Sequence, residues 1–95
     1  MSGDNVVAVR MREADDVAVL LSAVRQGQSV RVAGKGADLI VPAIECIPQH
    51  HKIALKTIAK GSEVVRNGTV IGRATEKIKS GQCVHIHNLT SQWAT

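Results

Sequence analysis

The sequence predicts a mostly β fold of short strands with one helix near its N-terminus. Three observations point there. First, the apolar residues, 44% of the 95, are nearly all Val, Ile, Leu and Ala, with no Phe or Tyr. β-Branched residues at that density suit the half-buried surface of a sheet. Second, Asn67-Gly68 stands between two apolar-rich runs, the strongest short signal for a β-hairpin. Third, glycines recur between short apolar stretches, as in a chain that turns often and returns to strand.

Taken in order, Val6 to Met11 alternates as a strand, with Val7, Val9 and Met11 on one side and Val6, Ala8 and Arg10 on the other. The helix is predicted over residues 15–26. Asp15 and Asp16 offer a cap and a negative first turn, and Val17, Leu20, Leu21 and Val24 follow i, i+3, i+4, i+7. Arg25 near the end and Gly27 just past it complete the pattern. Val30 and Val32 mark the next strand, Gly34-Lys35-Gly36 a turn, and Asp38 to Ala43 a returning strand in which Pro42 argues for an edge. His51 to Ile58 reads as a strand. Ser62 to Arg66 and Thr69 to Ala74 are the arms of the hairpin, and Cys83 to His87 is the last strand.

A pattern of apolar-x-x-Gly-x-x-apolar recurs as Val24-Gly27-Val30, Ile58-Gly61-Val64 and Ile78-Gly81-Val84, with a fourth copy, Ile47-His50-Ile53, carrying His in place of Gly. Each copy reads as an anchor, a tight turn and re-entry into strand. The copies are unevenly spaced, so they do not make a solenoid.

A chain of this length forms one small domain, residues 1–95, and an oligomer or a larger partner helps it bury surface. Its charge, +4 with neutral histidines, suits an anionic small molecule or an acidic partner surface. Nucleic acid is disfavoured: the basic residues are scattered from Arg10 to Lys79, and there are no aromatics for bases to stack on beyond Trp93. Trp93-Ala94-Thr95 is either a docking tail or a frayed end. Cys46 and Cys83 lack metal or redox spacing. Met-Ser-Gly-Asp-Asn opens with an acid and no apolar run, so no signal peptide is expected. No stretch approaches a membrane span, and a reducing cytoplasm is the expected setting.

The residues with chemistry to offer are the histidines. On a strand, His85 and His87 share one face while Val84 and Ile86 enter the core on the other. Imidazole pairs of this kind hold Fe, Zn or Mn when a third ligand is supplied, and His51 is the best-placed candidate, with His50 beside it. The same pattern also describes two solvent-facing histidines at an edge, and spacing alone leaves both readings open. In His50-His51-Lys52, the lysine suits a carboxylate and a neighbouring histidine titrates near neutrality. The serines lack the context of a nucleophile, and Gly34-Lys35-Gly36 lacks the frame of a phosphate loop. No complete active site is visible in the chain.

His51-Lys52-Ile-Ala-Leu, Ile58-Ala-Lys-Gly61, Val65-Arg-Asn-Gly-Thr-Val-Ile-Gly-Arg-Ala74 and Ile78-Lys-Ser-Gly-Gln-Cys-Val-His-Ile-His-Asn88 together resemble the SAF-type β-clip domain of the altronate and galactarate dehydratase family. The likeness is strong over residues about 47–88 and covers the N-terminal half in outline. That domain occurs at the N-terminus of sugar-acid dehydratases and as a separate small subunit, including that of sulfolactate sulfo-lyase. The resemblance implies a β-clip of short strands and a lyase that dehydrates a hydroxy acid, in which a large subunit holds most catalytic groups. It implies His51, His85 and His87 as catalytic residues and Lys52 and Asn88 as substrate-binding residues. It also implies a divalent metal, iron or manganese, held by His85 and His87 with His51 or His50, or mainly by the partner chain. Other β-clip modules bind ligands or partners without catalysis. One departure stands out. The family usually has Gly before His-Lys and this chain has His50, which bears on the backbone of that turn and adds either a ligand or a polar side chain.

Overall fold

A computed structural model describes residues 6–36 and 38–91. The Trp93 tail and the Met1–Asn5 start lie outside the described residues. The chain is all β. A six-stranded sheet runs β4 (Leu39–Pro42), β3 (Ser29–Gly34), β1 (Val6–Arg10), β2 (Val17–Leu20), β5 (Lys52–Ala54), β8 (Cys83–Val84). A three-stranded sheet runs β6 (Glu63–Arg66), β7 (Thr69–Ala74), β9 (Leu89–Ser91). β1 and β3 are parallel, and every other ladder is antiparallel. Among the described residues no helix is long and apolar enough to cross a membrane.

The expected helix over residues 15–26 is absent. Val17–Leu20 is instead a strand paired with β1 on one side and β5 on the other. Its spacing fits a helix, but the burial does not. Val17, Ala18 and Leu20 are all buried, on both faces of the strand, while Leu21 is 50% exposed. A helix on a sheet buries one stripe only; a strand between two cores buries both faces. Ala18, Leu20, Ile53 and Cys83 belong to one core and Val17, Ala54 and Val84 to a second. β2, β5 and β8 are thus the wall between two cores.

Elsewhere the sequence reading holds in outline. Val30 and Val32 are buried on β3, and Pro42 ends β4, the edge strand. β6 and β7 meet at Asn67-Gly68, whose φ values of 55° and 73° are both left-handed, as a type I′ hairpin turn requires. Of the alternating sides of β1, the one with Val6, Ala8 and Arg10 is buried, and Met11 is exposed. Two strands are shorter than expected: β5 stops at Ala54 and β8 at Val84.

The repeated motif proves to be the frame of the fold. All four turns have the same local structure, and φ is positive at Gly27 (93°), His50 (70°), Gly61 (85°) and Gly81 (90°). Each is closed by a bond from the following residue's N–H, Gln28 to Arg25 O, His51 to Pro48 O, Ser62 to Ala59 O and Gln82 to Lys79 O, the pattern of a β-turn with its third residue left-handed. The apolar residues on either side of every turn are buried.

The turns work in reciprocal pairs. Val24 and Ile47 form an antiparallel bridge, as do Ile58 and Ile78. Gly27 N donates to Ala43 O while His50 N donates to Leu20 O, and Gly61 N donates to Ala74 O while Gly81 N donates to Ala54 O. Each turn therefore satisfies a strand-end carbonyl of its mate, and two interlocked halves result, residues 20–53 and 54–84. The curled, short-stranded arrangement is consistent with a β-clip.

The β6–β7 hairpin is fastened to the large sheet by two buried carboxylates. Asp15 accepts from the N–H groups of Asn67 and Gly68 at 2.8 and 3.1 Å and from that of Arg12 at 3.0 Å. Asp16 accepts from Val65 N at 2.8 Å and pairs with Lys56 at 2.8 Å. Burial disfavours the charged form of Asp15, but the backbone donors of Asn67, Gly68, Arg12 and Met11 together outweigh it and hold its carboxyl below the usual value. The two acids expected to cap a helix thus clasp a hairpin.

Candidate functional site

β5 and β8 join the two halves. Their ladder pairs Lys52 with Val84 and Ile53 with Cys83. One step further along, His51 and His85 face each other, and their rings stack with centroids 4.3 Å apart and planes 30° from parallel. The contact follows from antiparallel register, which sets directly opposed side chains in touching distance. His51 Nδ1 also lies 3.9 Å from Cys83 Sγ.

Beyond Val84 the chain leaves the strand, so the expected run of alternation through His87 ends early. Residues 85–88 form a turn built on Asn88. Its Oδ1 accepts from His85 N (3.0 Å), its Nδ2 donates to Cys83 O (2.8 Å) and its backbone N donates to His85 O (3.1 Å). Asn88 is wholly buried. Expected to touch substrate, it instead spends its amide on the turn and so fixes where His85 points. Ile86, expected in the core, is 84% exposed at the tip of that turn, between His85 and His87. A turn reverses the chain within a few residues, so the two-residue period that would have buried Ile86 no longer applies.

His85 is held below its ordinary pKa, first by partial burial and then by the positive charge that His51, Lys52 and His87 can carry. It is therefore a neutral imidazole at pH 7. Lys52, half-buried, is depressed by burial and by the nearby Arg66 guanidinium, with Cys83 opposing. Cys83 is pushed up by burial and by Glu45, with Lys52 opposing, so it stays a thiol at neutral pH and is not an activated nucleophile. Glu45 Oε2 accepts from Cys83 N at 2.7 Å, which fastens the start of β8.

The structure thus brings His51, Lys52, His85 and His87 to one end of the β5–β8 ladder, with Asn88 beneath them. His50 occupies the left-handed corner of the turn before β5. Among the described residues, no three His, Cys, Asp or Glu side chains are grouped to hold a metal ion. Stacked imidazoles direct their nitrogen lone pairs along near-parallel planes and not toward one point, so the pair as it stands does not fit a metal centre by itself. Sequence reasoning missed Arg66 and Glu45. Arg66 directly precedes Asn67-Gly68, a local sign of a hairpin end, but its approach to Lys52 depends on the distant clasp by Asp15 and Asp16, which leaves no local signature.

A small all-β domain with a histidine pair and cations gathered at one strand end, and no complete metal or nucleophile set among the described residues, is the class of structure these observations define. Residues 6–92 match the model of the altronate/galactarate dehydratase SAF domain, and the chain belongs to that family. It is 33% identical to the (2R)-sulfolactate sulfo-lyase subunit alpha of Chromohalobacter salexigens, over 98% of this chain and 100% of that protein. It is also 35% identical to the altronate dehydratase of Escherichia coli and 28% identical to that of Bacillus subtilis, in each case over 84% of this chain. The chain spans 15% of the length of each of those two dehydratases.

Proposed function

We propose that this chain, acting as a single SAF/β-clip domain in the cytoplasm, is the small subunit or detached N-terminal domain of a hydroxy-acid dehydratase. In this reading it lends His51 and His85 to a site that a large subunit completes. The observation that carries the proposal is the cross-strand His51–His85 stack, with His85 kept neutral at an accessible rim. Family membership and the names of the relatives support the lyase class. The substrate is a sugar acid such as altronate or galactarate.

The chemistry is removal of the proton α to the carboxylate and departure of the β-hydroxyl, giving an enol that becomes a 2-keto-3-deoxy acid. A neutral imidazole can accept the first proton, and the resulting imidazolium can return one to the leaving oxygen. Stacking fixes the planes of both rings and leaves their edges open to a ligand. Lys52 holds the substrate carboxylate, His87 stands on the turn beside the pair, and Asn88 positions His85. Ile86, exposed between the two histidines, is an anchor for the large subunit. A divalent metal, iron or manganese, would be held mainly by that subunit and would supply a Lewis acid there.

A second reading, the small subunit of a sulfolactate sulfo-lyase, is favoured by one observation. The match to that subunit covers 98% of this chain and all of that one. There the leaving group is sulfite.

The test is reconstitution with the large subunit and assay of altronate, galactarate and sulfolactate. Substituting both His85 and His87 with Ala is expected to lower kcat by about 100-fold or more, with the amide spectrum of the small chain unchanged. Full activity in that variant would overturn the catalytic role and leave a non-catalytic binding module.

A further inference from the structure

The Asn67-Gly68 corner carries a reactivity of its own. Asparagine is among the chemically labile residues, and a following glycine has no Cβ to keep its nitrogen away from the asparagine side chain. Both residues are exposed at the tip of the β6–β7 hairpin. In the reaction Gly68 N forms a bond to Asn67 Cγ and loses its proton to solvent. The side-chain amide nitrogen takes up a proton and departs as ammonia, leaving a cyclic succinimide. Water then adds to either ring carbonyl and breaks that carbon's bond to nitrogen. The products are aspartate or, with the main chain rerouted through Cγ, isoaspartate.

The closed hairpin opposes the first step. Ring closure needs the peptide plane between residues 67 and 68 to rotate until Gly68 N faces Asn67 Cγ. In the structure that plane is fixed in a left-handed pair, with φ 55° at Asn67 and 73° at Gly68. Asp15 accepts from Asn67 N at 2.8 Å and from Gly68 N at 3.1 Å, so the attacking nitrogen is itself tethered. Arg12 Nε donates to Asn67 Oδ1 at 3.4 Å and holds the side chain as well. Asp15 does not promote the attack as a base. A carboxylate is far too weak to take an amide proton, and the donors that lower its carboxyl make it weaker still.

We propose that Asn67 is a self-modification site gated by the Asp15 clasp: it converts only when the hairpin opens, and its isoaspartyl product cannot be clasped again. Isoaspartate adds a main-chain atom to a two-residue loop whose flanking residues, Arg66 and Thr69, are paired in register. A type I′ turn does not accommodate the extra atom, so Asn67 N and Gly68 N no longer meet Asp15 together. Each opening therefore carries a chance of leaving the hairpin permanently unfastened from the large sheet. The inference is independent of the lyase reading.

The experiment incubates the full chain at mildly alkaline pH, folded and in guanidinium chloride, and follows residue 67 by peptide mass spectrometry. Conversion should be slower by about 100-fold or more in the folded chain. Folded Asp15→Asn should convert about tenfold faster than folded wild type. Asn88, followed by the bulkier Leu89, should lag behind Asn67 in denaturant. Hydrogen exchange gives a second measurement that needs no variant. Gly68 N–H should be protected in wild type and lose about tenfold or more of that protection in the purified isoaspartyl chain. The proposal is overturned by equal rates in folded and denatured wild type, or by a folded Asp15→Asn chain as slow as wild type. Asn88 converting as fast as Asn67 in denaturant, a Gly68 amide that exchanges freely in wild type, or one still fully protected in the isoaspartyl chain, overturns it as well.

Discussion

The two interlocked halves use one device with different residues at its corners. In residues 54–84 the corners of both repeated turns are glycines, Gly61 and Gly81. In residues 20–53 one is Gly27 and the other is His50, at φ 70°. The backbone bonds are the same in both halves, so the fold does not need glycine at that corner. A side chain in this region costs about 1–2 kcal/mol, and histidine is among the residues found there more often than most. The difference teaches that the turn is imposed by its surroundings, by the Val24–Ile47 bridge and the bond from His50 N to Leu20 O. The preference of the residue at the corner is secondary. The corner that departs from glycine is also the one leading straight into His51 and Lys52.

The comparison can be broken most sharply at Gly81. A Cβ there would run into the carbonyl oxygen of Pro42, so Gly81→Ala should add a backbone collision to the left-handed penalty and cost about 3 kcal/mol or more. At Gly27 and Gly61 a Cβ meets open space; alanine there should cost only about 1–2 kcal/mol. Urea denaturation of the three variants tests the ranking, and equal losses would mean that the close approach of the Pro42 carbonyl does not set the cost.

Next in size is the clasp. Asp15→Asn should destabilise the chain by about 1–3 kcal/mol, because three backbone donors lose a charged acceptor. The sign of its pH dependence follows from the lowered carboxyl. A group bound more weakly by protons when folded contributes stability above its unfolded pKa, about 3.9. That contribution is lost as pH falls through the folded value. The gap between wild type and Asp15→Asn should therefore be full at pH 6 and shrink below about pH 4 in acid unfolding curves.

The smallest effect should be a gain. His50→Gly restores the corner used by the other three turns and should stabilise by about 1 kcal/mol, less the greater chain entropy that glycine brings to the unfolded state. A rise in thermal midpoint checks it. A fall would show that the His50 side chain contributes contacts beyond the turn.

Much of this was legible in the residues. The four turns follow from an apolar residue three before and three after each corner, and the hairpin follows from Asn67-Gly68, because both are local backbone requirements. The false helix shows where locality fails. Val17, Leu20, Leu21 and Val24 satisfy a helical spacing, and only the two cores packed against β2 make strand the better solution. The site divides in the same way. His51 and His85 could be paired as candidates because they lie on strands that follow equivalent turns. The tight turn after Val84, which exposes Ile86 and buries Asn88, is closed by the bonds of Asn88 to His85 and Cys83 and breaks the strand period; the influence of Arg66 on Lys52 depends on contacts made at long range.

The reciprocal hooks also constrain how the chain reaches its shape. Gly27 waits for Ala43, His50 for Leu20, Gly61 for Ala74 and Gly81 for Ala54, so no turn completes its bonds until a distant segment arrives. Such a topology gives little reward to partial structure and folds slowly for its size. The last hook, at Gly81, is laid down just before the histidine turn. A nascent chain therefore cannot pair His85 with His51 until both halves have closed, and the chemistry of the rim is withheld until the fold is complete.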